Sequence, residues 1–217
     1  MWRLGGQTGI VAESSQTGTY TLPIAQEMNR KQRFRTVAIG LGGNLPSPAG
    51  DARLTIAAAL RDLAASFLLS GVSRFFRSPA FPAGSGPDFI NAAVIVNTDV
   101  MPADILRELH RIEATYLRER KTRWGARTLD LDLLFVDDVV LPDRDTQAKW
   151  AHLLPPRQQV DAPESLILPH PRLQDRAFVL VPLAEIAPDW RHPVSGQSVS
   201  EMTAMLPDAD KAAICPI

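Results

Sequence analysis

Thr128-Leu-Asp-Leu-Asp-Leu-Leu-Phe-Val136 alternates polar and apolar side chains over its first six residues. Strand side chains point to opposite faces in turn, so this spacing predicts a half-buried β-strand. Leu129, Leu131, Leu133 and Phe135 would face a helix-covered core, while Thr128, Asp130, Asp132 and Leu134 would share the other face. Upstream, Thr36-Val-Ala-Ile-Gly-Leu41 has the apolar run of a buried strand, and Gly42-Gly-Asn-Leu-Pro-Ser-Pro-Ala-Gly50 has the composition of a loop. From Asp51 a helix is expected, with Ile56, Leu60, Leu63 and Phe67 along one face. Gly71–Arg77 predicts a second strand, residues 78–88 an irregular loop with three prolines and two glycines, and Phe89–Thr98 a third strand. Pro102 and Asp104 suit the first turn of a second helix whose buried face is Ile105, Leu109, Ile112 and Tyr116. The order β-α-β-β-α-β predicts an α+β, ferredoxin-like domain: an antiparallel sheet with helices on one face, followed by C-terminal additions.

The flanks carry weaker patterns. Residues 1–33 are rich in Gly, Ser, Thr and Gln without a helix or strand period, so they are expected to be a disordered extension. That leaves residues 34–217 as a single domain. Residues 142–163, with four prolines, several charges and Trp150, predict a long irregular loop. A last helix is expected to hold Val179, Leu183 and Ile186, with Pro182 near its first turn and Pro188 closing it.

Composition narrows the function classes. A net charge of −1 over 217 residues argues against a general nucleic-acid or membrane-surface binder. No apolar run reaches the roughly 18 residues that a membrane helix needs, and no apolar segment of a secretory signal follows Arg3. The one cysteine, Cys215, allows no intrachain disulfide, and no Cys/His cluster has zinc spacing, so a reducing, cytoplasmic setting fits. The partners expected are small molecules, with a monomer as the default.

Asp130 and Asp132 would stand on one face roughly 7 Å apart along the strand, a spacing that can bridge hard cations shared with substrate phosphates. A bare Asp-x-Asp is most often a solvated strand face. Its setting here is unusual: Arg118, Arg120, Lys121, Arg123 and Arg127 place five cations within ten residues. Arginine forks suit phosphate oxygens, and Trp124 offers a flat face for a planar heterocycle. No P-loop and no protein-kinase motif set is present. Two other readings use the same residues: a non-catalytic ferredoxin-like nucleic-acid-binding module and a metal-dependent nuclease. The first would carry sheet-face aromatics in an RNP pattern, which these strands lack.

Arg123-Trp-Gly-Ala-Arg-Thr-Leu-Asp-Leu-Asp132 closely resembles the signature of the hydroxymethyldihydropterin pyrophosphokinases of folate biosynthesis. Gly42-Gly-Asn44, Phe76-Arg-Ser-Pro79, Pro87-Asp-Phe-Ile-Asn-Ala-Ala93, Leu168-Pro-His-Pro171 and Arg176 to Pro188 follow in the same order, so the resemblance covers about residues 36–205. It implies the ferredoxin-like fold and Mg-dependent transfer of pyrophosphate from ATP to 6-hydroxymethyl-7,8-dihydropterin, with release of AMP. By that resemblance Asp130 and Asp132 would hold two Mg²⁺ bridging the ATP phosphates. Arg127, His170 and Arg176 would contact the nucleotide, with Arg118, Arg120 and Lys121 closing over it. Trp124 and Phe178 would sandwich the pterin, and Asn91 would bind its amide edge. Ser78, Pro79, Phe81 and Phe89 would complete that pocket. Gly43 departs from the family by standing where serine is common.

Overall fold

The computed structural model describes residues 34–80, 84, 86–117, 127–154, 157 and 161–217. The proposed extension over residues 1–33 lies outside them. Strand β1 (Arg35–Gly43) is followed by helix α1 (Ala52–Ser66), then by strands β2 (Leu68–Val72), β3 (Phe76–Ser78) and β4 (Phe89–Thr98). Helix α2 (Pro102–Thr115) leads to β5 (Asp130–Val136). All strand pairs are antiparallel, in the order β5-β1-β4-β3, with β2 also on β4. This is the ferredoxin-like arrangement expected from the sequence, and β1 and β4 form its centre.

Local chemistry explains the helix ends. Asp51 caps α1, its carboxylate accepting the Leu54 N–H at 2.9 Å, which satisfies one orphan donor of the first turn. Pro102 opens α2, where a missing N–H costs nothing, and Asp104 lies near the positive dipole end. The predicted faces are the buried ones: Ile56 and Leu63 of α1, and Ile105, Leu109 and Ile112 of α2, have no exposed surface. They pack on Val37, Ile39 and Leu41 of β1, Val94 and Val96 of β4, and Leu131 and Leu133 of β5. Each fully buried leucine or isoleucine contributes about 1.5–3 kcal/mol.

Several expectations need correction. The second strand, read as one run from Gly71 to Arg77, is two, because Ser73 takes over a rung of the ladder with its side chain. Its Oγ accepts the Ala93 N–H at 2.9 Å while its own N–H donates to the Ala93 carbonyl, also at 2.9 Å. The fourth strand begins at Asp130 rather than Thr128. Its alternation also breaks. Leu133 lies opposite Ile39 and Phe135 opposite Ala38, so β5 carries one extra residue at this point. The bulge places both Leu134 and Phe135 in the second core, whereas Phe135 was expected with Leu133 on the helix-covered face.

The C-terminal part is also more regular than expected. Within 142–163, residues Arg144–Ala151 form helix α3, capped by Asp143, whose carboxylate accepts the Thr146 N–H at 2.8 Å. Helix α4 (Ala177–Ala184) ends before Ile186 and holds Pro182 in its last turn, not its first. Two further helices follow, α5 (Val199–Met205) and α6 (Asp208–Ala212), and strand β6 (Cys215–Pro216) pairs with β3. A capping box, Ser198-x-x-Glu201, starts α5. Leu180, Leu183, Val199 and Met202 cover Ala38, Ala93, Ile95, Leu134 and Phe135 on the sheet face opposite α1 and α2. Trp190 stacks on Phe135 with ring centroids 3.9 Å apart. None of the described helices is long and apolar enough to cross a membrane.

Candidate active site

The antiparallel register sets Asp132 opposite Gly40 and Asp130 opposite Gly42. On the other side of β1, Gly42 lies opposite Asn91 and Gly40 opposite Ala93. Residues directly opposite in such a pair project to the same face. Two carboxylates therefore rise on one side, and an amide on the other, of a strip of β1 that has no side chains. The result is a trough floored by Gly42, while the Leu134 side chain packs over Gly40. A Cβ on Gly42 would come within 3.2 Å of Asn91 Oδ1, so even a methyl group would crowd it.

Each carboxylate has a cation beside it. The Arg127 guanidinium is paired with Asp130, both side chains being about one-fifth exposed. Arg176 Nη1 lies 3.3 Å from Asp132 Oδ2. Arg176 immediately precedes α4, and its guanidinium also sits 5.7 Å from the ring centroid of Phe178. His170 follows β5 closely in space, its N–H donating to the Leu134 carbonyl at 2.7 Å. Its Nδ1 accepts the Arg172 N–H at 3.1 Å, so in the neutral ring the proton is on Nε2. Burial, reinforced by the neighbouring Arg176, pulls the pKa of His170 down to about 3. The ring is therefore neutral at physiological pH and can donate only through Nε2–H.

The opposite wall is polar but satisfied. Asn91 and Ser78 are both buried, and Asn91 Nδ2 donates to Ser78 Oγ at 2.9 Å. Phe89 lies opposite Ser78 and is partly buried, and Pro79 is exposed. The structure thus gathers Arg127, Asp130, Asp132, His170, Arg176 and Phe178 about β5, and Ser78, Phe89 and Asn91 about β4, on the other side of β1. Phe81, Arg118, Arg120, Lys121 and Trp124 lie outside the described residues.

Sequence reasoning overlooked three buried polar side chains around this site. Glu113 of α2 accepts the Leu131 N–H at 2.7 Å, covering the strand edge between the two aspartates. Gln147 of α3, with no exposed surface, donates to the Pro169 carbonyl at 3.2 Å, next to His170. Asn44 accepts the Arg127 N–H at 2.9 Å and donates to the Pro87 carbonyl at 2.9 Å. Only Asn44 had left a signal, inside Gly42-Gly-Asn44. Gly43 lies directly against the Thr128 main chain. A Cβ there would lie 2.5 Å from the Thr128 carbonyl oxygen, so the two segments approach more closely than a side chain allows.

Among the described residues, no group of three or more His, Cys, Asp or Glu could hold a metal. The donor set is instead two carboxylates beside the Gly42 floor. These are hard oxygens that suit Mg²⁺ when substrate oxygens complete its coordination. The residues therefore fit the ion.

The model of the 7,8-dihydro-6-hydroxymethylpterin-pyrophosphokinase family matches residues 38–188. The chain belongs to that family. A Synechocystis sp. protein named 2-amino-4-hydroxy-6-hydroxymethyldihydropteridine pyrophosphokinase is 37% identical over 86% of this chain and 82% of its own length. Proteins of the same name from Methylorubrum extorquens and Pseudomonas aeruginosa are 35% and 34% identical, covering 91% and 93% of their own lengths. The crystal structure of wild-type Plasmodium falciparum HPPK-DHPS has the same fold, with a TM-score of 0.54 at 14% identity. It matches 79% of this chain and 44% of that longer one. This pyrophosphokinase family membership makes the protein an enzyme of pyrophosphoryl transfer.

Proposed function

We propose that the glycine-floored trough binds ATP with magnesium beside a reduced pterin. The protein then transfers the β,γ-pyrophosphoryl group to the hydroxymethyl group of 6-hydroxymethyl-7,8-dihydropterin and releases AMP, a step of folate biosynthesis. One observation carries this reading: the cation-flanked pair Asp130 and Asp132 faces the Asn91–Ser78 pair across a strip of β1 without side chains. Phosphates and a flat heterocycle could lie there side by side.

Asp130 and Asp132 would hold two Mg²⁺, which neutralise charge on the phosphate oxygens when bound. Arg127 and Arg176 offer forked donors to the same oxygens, and His170 adds one neutral N–H. Arg118, Arg120 and Lys121 would close over the phosphates. Trp124 and Phe178 would stack on the two faces of the pterin while Asn91 reads its donor/acceptor edge, fixing plane and register together. Ser78 holds the Asn91 amide in place, and Pro79, Phe81 and Phe89 would exclude water around the ring. A primary alcohol is a weak nucleophile, but alignment and charge neutralisation carry most of a phosphoryl displacement. The reading assigns no protein base to the hydroxyl. It makes residues 34–217 a single catalytic domain, acting in the cytoplasm as a monomer without nucleic-acid or membrane partners.

The test is product identity. With ATP, magnesium and the pterin, the nucleotide product should be AMP, formed in step with pterin pyrophosphate. ADP as product, or turnover that ignores the pterin, would sink the proposal.

A further inference from the structure

The trough has two walls on separate segments, and one buried side chain touches both. Asn44, at the end of β1, is 6% exposed. Its Oδ1 accepts the Arg127 N–H at 2.9 Å, and its Nδ2 donates to the Pro87 carbonyl at 2.9 Å. The adjoining main chain strengthens the first contact, because the N–H groups of Asn44 and Leu45 both donate to the Arg127 carbonyl, at 3.0 and 3.1 Å. Arg127 is thereby held by donor and acceptor at once. Its side chain reaches Asp130 on the phosphate wall. Pro87 lies two residues before Phe89 and four before Asn91, on the heterocycle wall.

The amide fills this place in a way few side chains can. It needs one acceptor and one donor, about an amide's width apart, in a space where water is excluded. An aspartate would keep the acceptor toward Arg127 but set a second oxygen against the Pro87 carbonyl. An alanine would leave both main-chain groups without their partner, a loss that buried polar groups feel strongly.

We propose that Asn44 is a positioning residue that couples the two substrate walls. Ordering the Pro87 segment against one substrate sets the Arg127 main chain for the other, and the reverse holds by thermodynamic reciprocity. The side chain touches neither substrate. The proposal rests on the pyrophosphokinase reading above, and the experiment separates the two.

The probes are magnesium with an ATP analogue whose α,β-bridging oxygen is a methylene, and 6-hydroxymethyl-7,8-dihydropterin. Pterin affinity is measured by calorimetry with and without saturating analogue, on the full chain, for wild type, Asn44→Asp and Asn44→Ala. The ratio of the two affinities is the readout, because a general loosening of the fold lowers both and leaves the ratio alone. In the wild type the analogue should tighten pterin binding. Losing the Pro87 bond should reduce that gain about tenfold in Asn44→Asp, the size expected for one buried hydrogen bond. Asn44→Ala should lose at least as much, and if it does not fold, Asn44→Asp decides alone. A wild-type gain that persists unchanged in both folded variants overturns the coupling role, as does a wild type that binds both ligands without any gain. A wild type that binds neither ligand sinks the pyrophosphokinase reading itself and takes this proposal with it.

Discussion

The two faces of the sheet are built from the same strands, one residue out of step, and they do opposite things. Val37, Ile39 and Leu41 of β1 meet Ala92, Val94 and Val96 of β4 under α1 and α2, and this stretch of the face is apolar throughout. The alternate positions of the same strands begin apolar, with Ala38, Ala93 and Ile95 under α4 and α5. They end in Gly40, Gly42, Asn91, Asp130 and Asp132. One face stores stability. The other divides its length between a small second core and a polar trough, so its far end gives up burial for chemistry. Because strand parity assigns each residue to one face, substitutions one position apart should separate stability from activity.

The largest expected effect is at the trough. Asp130→Asn or Asp132→Asn should lower kcat at least about 100-fold, because each removes a negative charge that the proposed magnesium site would use while keeping the side-chain shape. Circular dichroism should show an unchanged fold. Full activity in either variant would break the division of labour between the faces. On the opposite face, Leu109→Ala should cost about 2–5 kcal/mol in urea unfolding, the usual range for a fully buried leucine. Turnover per folded molecule should stay at the wild-type level, and a selective loss of kcat would show that the faces are not independent.

A smaller effect is expected from Gly42→Ala, whose methyl must displace the Asn91 amide by a few tenths of an ångström. The pterin KM should rise about tenfold with little change for ATP, since positioning losses of this size act on the group displaced. Equal changes for both substrates would argue that the floor serves the whole site. The smallest effect is in pH dependence. The pKa of His170 is lowered in the folded protein to about 3, mainly by burial, and burial lowers that of His192 too. The unfolded chain takes up these protons near pH 6.5, so stability is full above that value and declines as pH falls toward 3. Replacing His170 with Asn should reduce the stability difference between about pH 7.5 and 5.5 by about 1 kcal/mol, read from urea midpoints. An unchanged difference would mean that the His170 ring already carries a proton in the folded state.

Legibility in the sequence followed the same division. The faces of α1 and α2 and the limits of β4 could be read directly, because one-sided burial imprints a period on neighbouring residues. The aspartate pair stood out by the same alternation, and the family signature gave it a meaning. What escaped were features without a local period. Ser73 interrupts a strand through a contact twenty residues away. The bulge at Leu134 depends on how β5 meets β1, not on either strand alone. Helix α3 was hidden among prolines and charges, and its role shows only where Gln147 meets Pro169. Glu113 and Gln147 look ordinary in sequence because each acts on main chain from a distant segment, and Asn44, though quoted within Gly42-Gly-Asn44, shows its role only through the same kind of contact.

The sequence by itself determined the broad alternation of strands and helices up to β5, the apolar face that drives their collapse, and the residue types suited to a metal, a phosphate and a flat ring. These are properties of neighbours along the chain, and alternation or a helical period displays them. Only the tertiary structure decided that Gly40 and Gly42 would lie between the carboxylates and Asn91, and that Arg127 and Arg176 would each reach an aspartate. It also decided that one amide, Asn44, would fasten both walls. Strand register and buried hydrogen bonds are long-range pairings, set when distant segments meet and each buried polar group must find a partner.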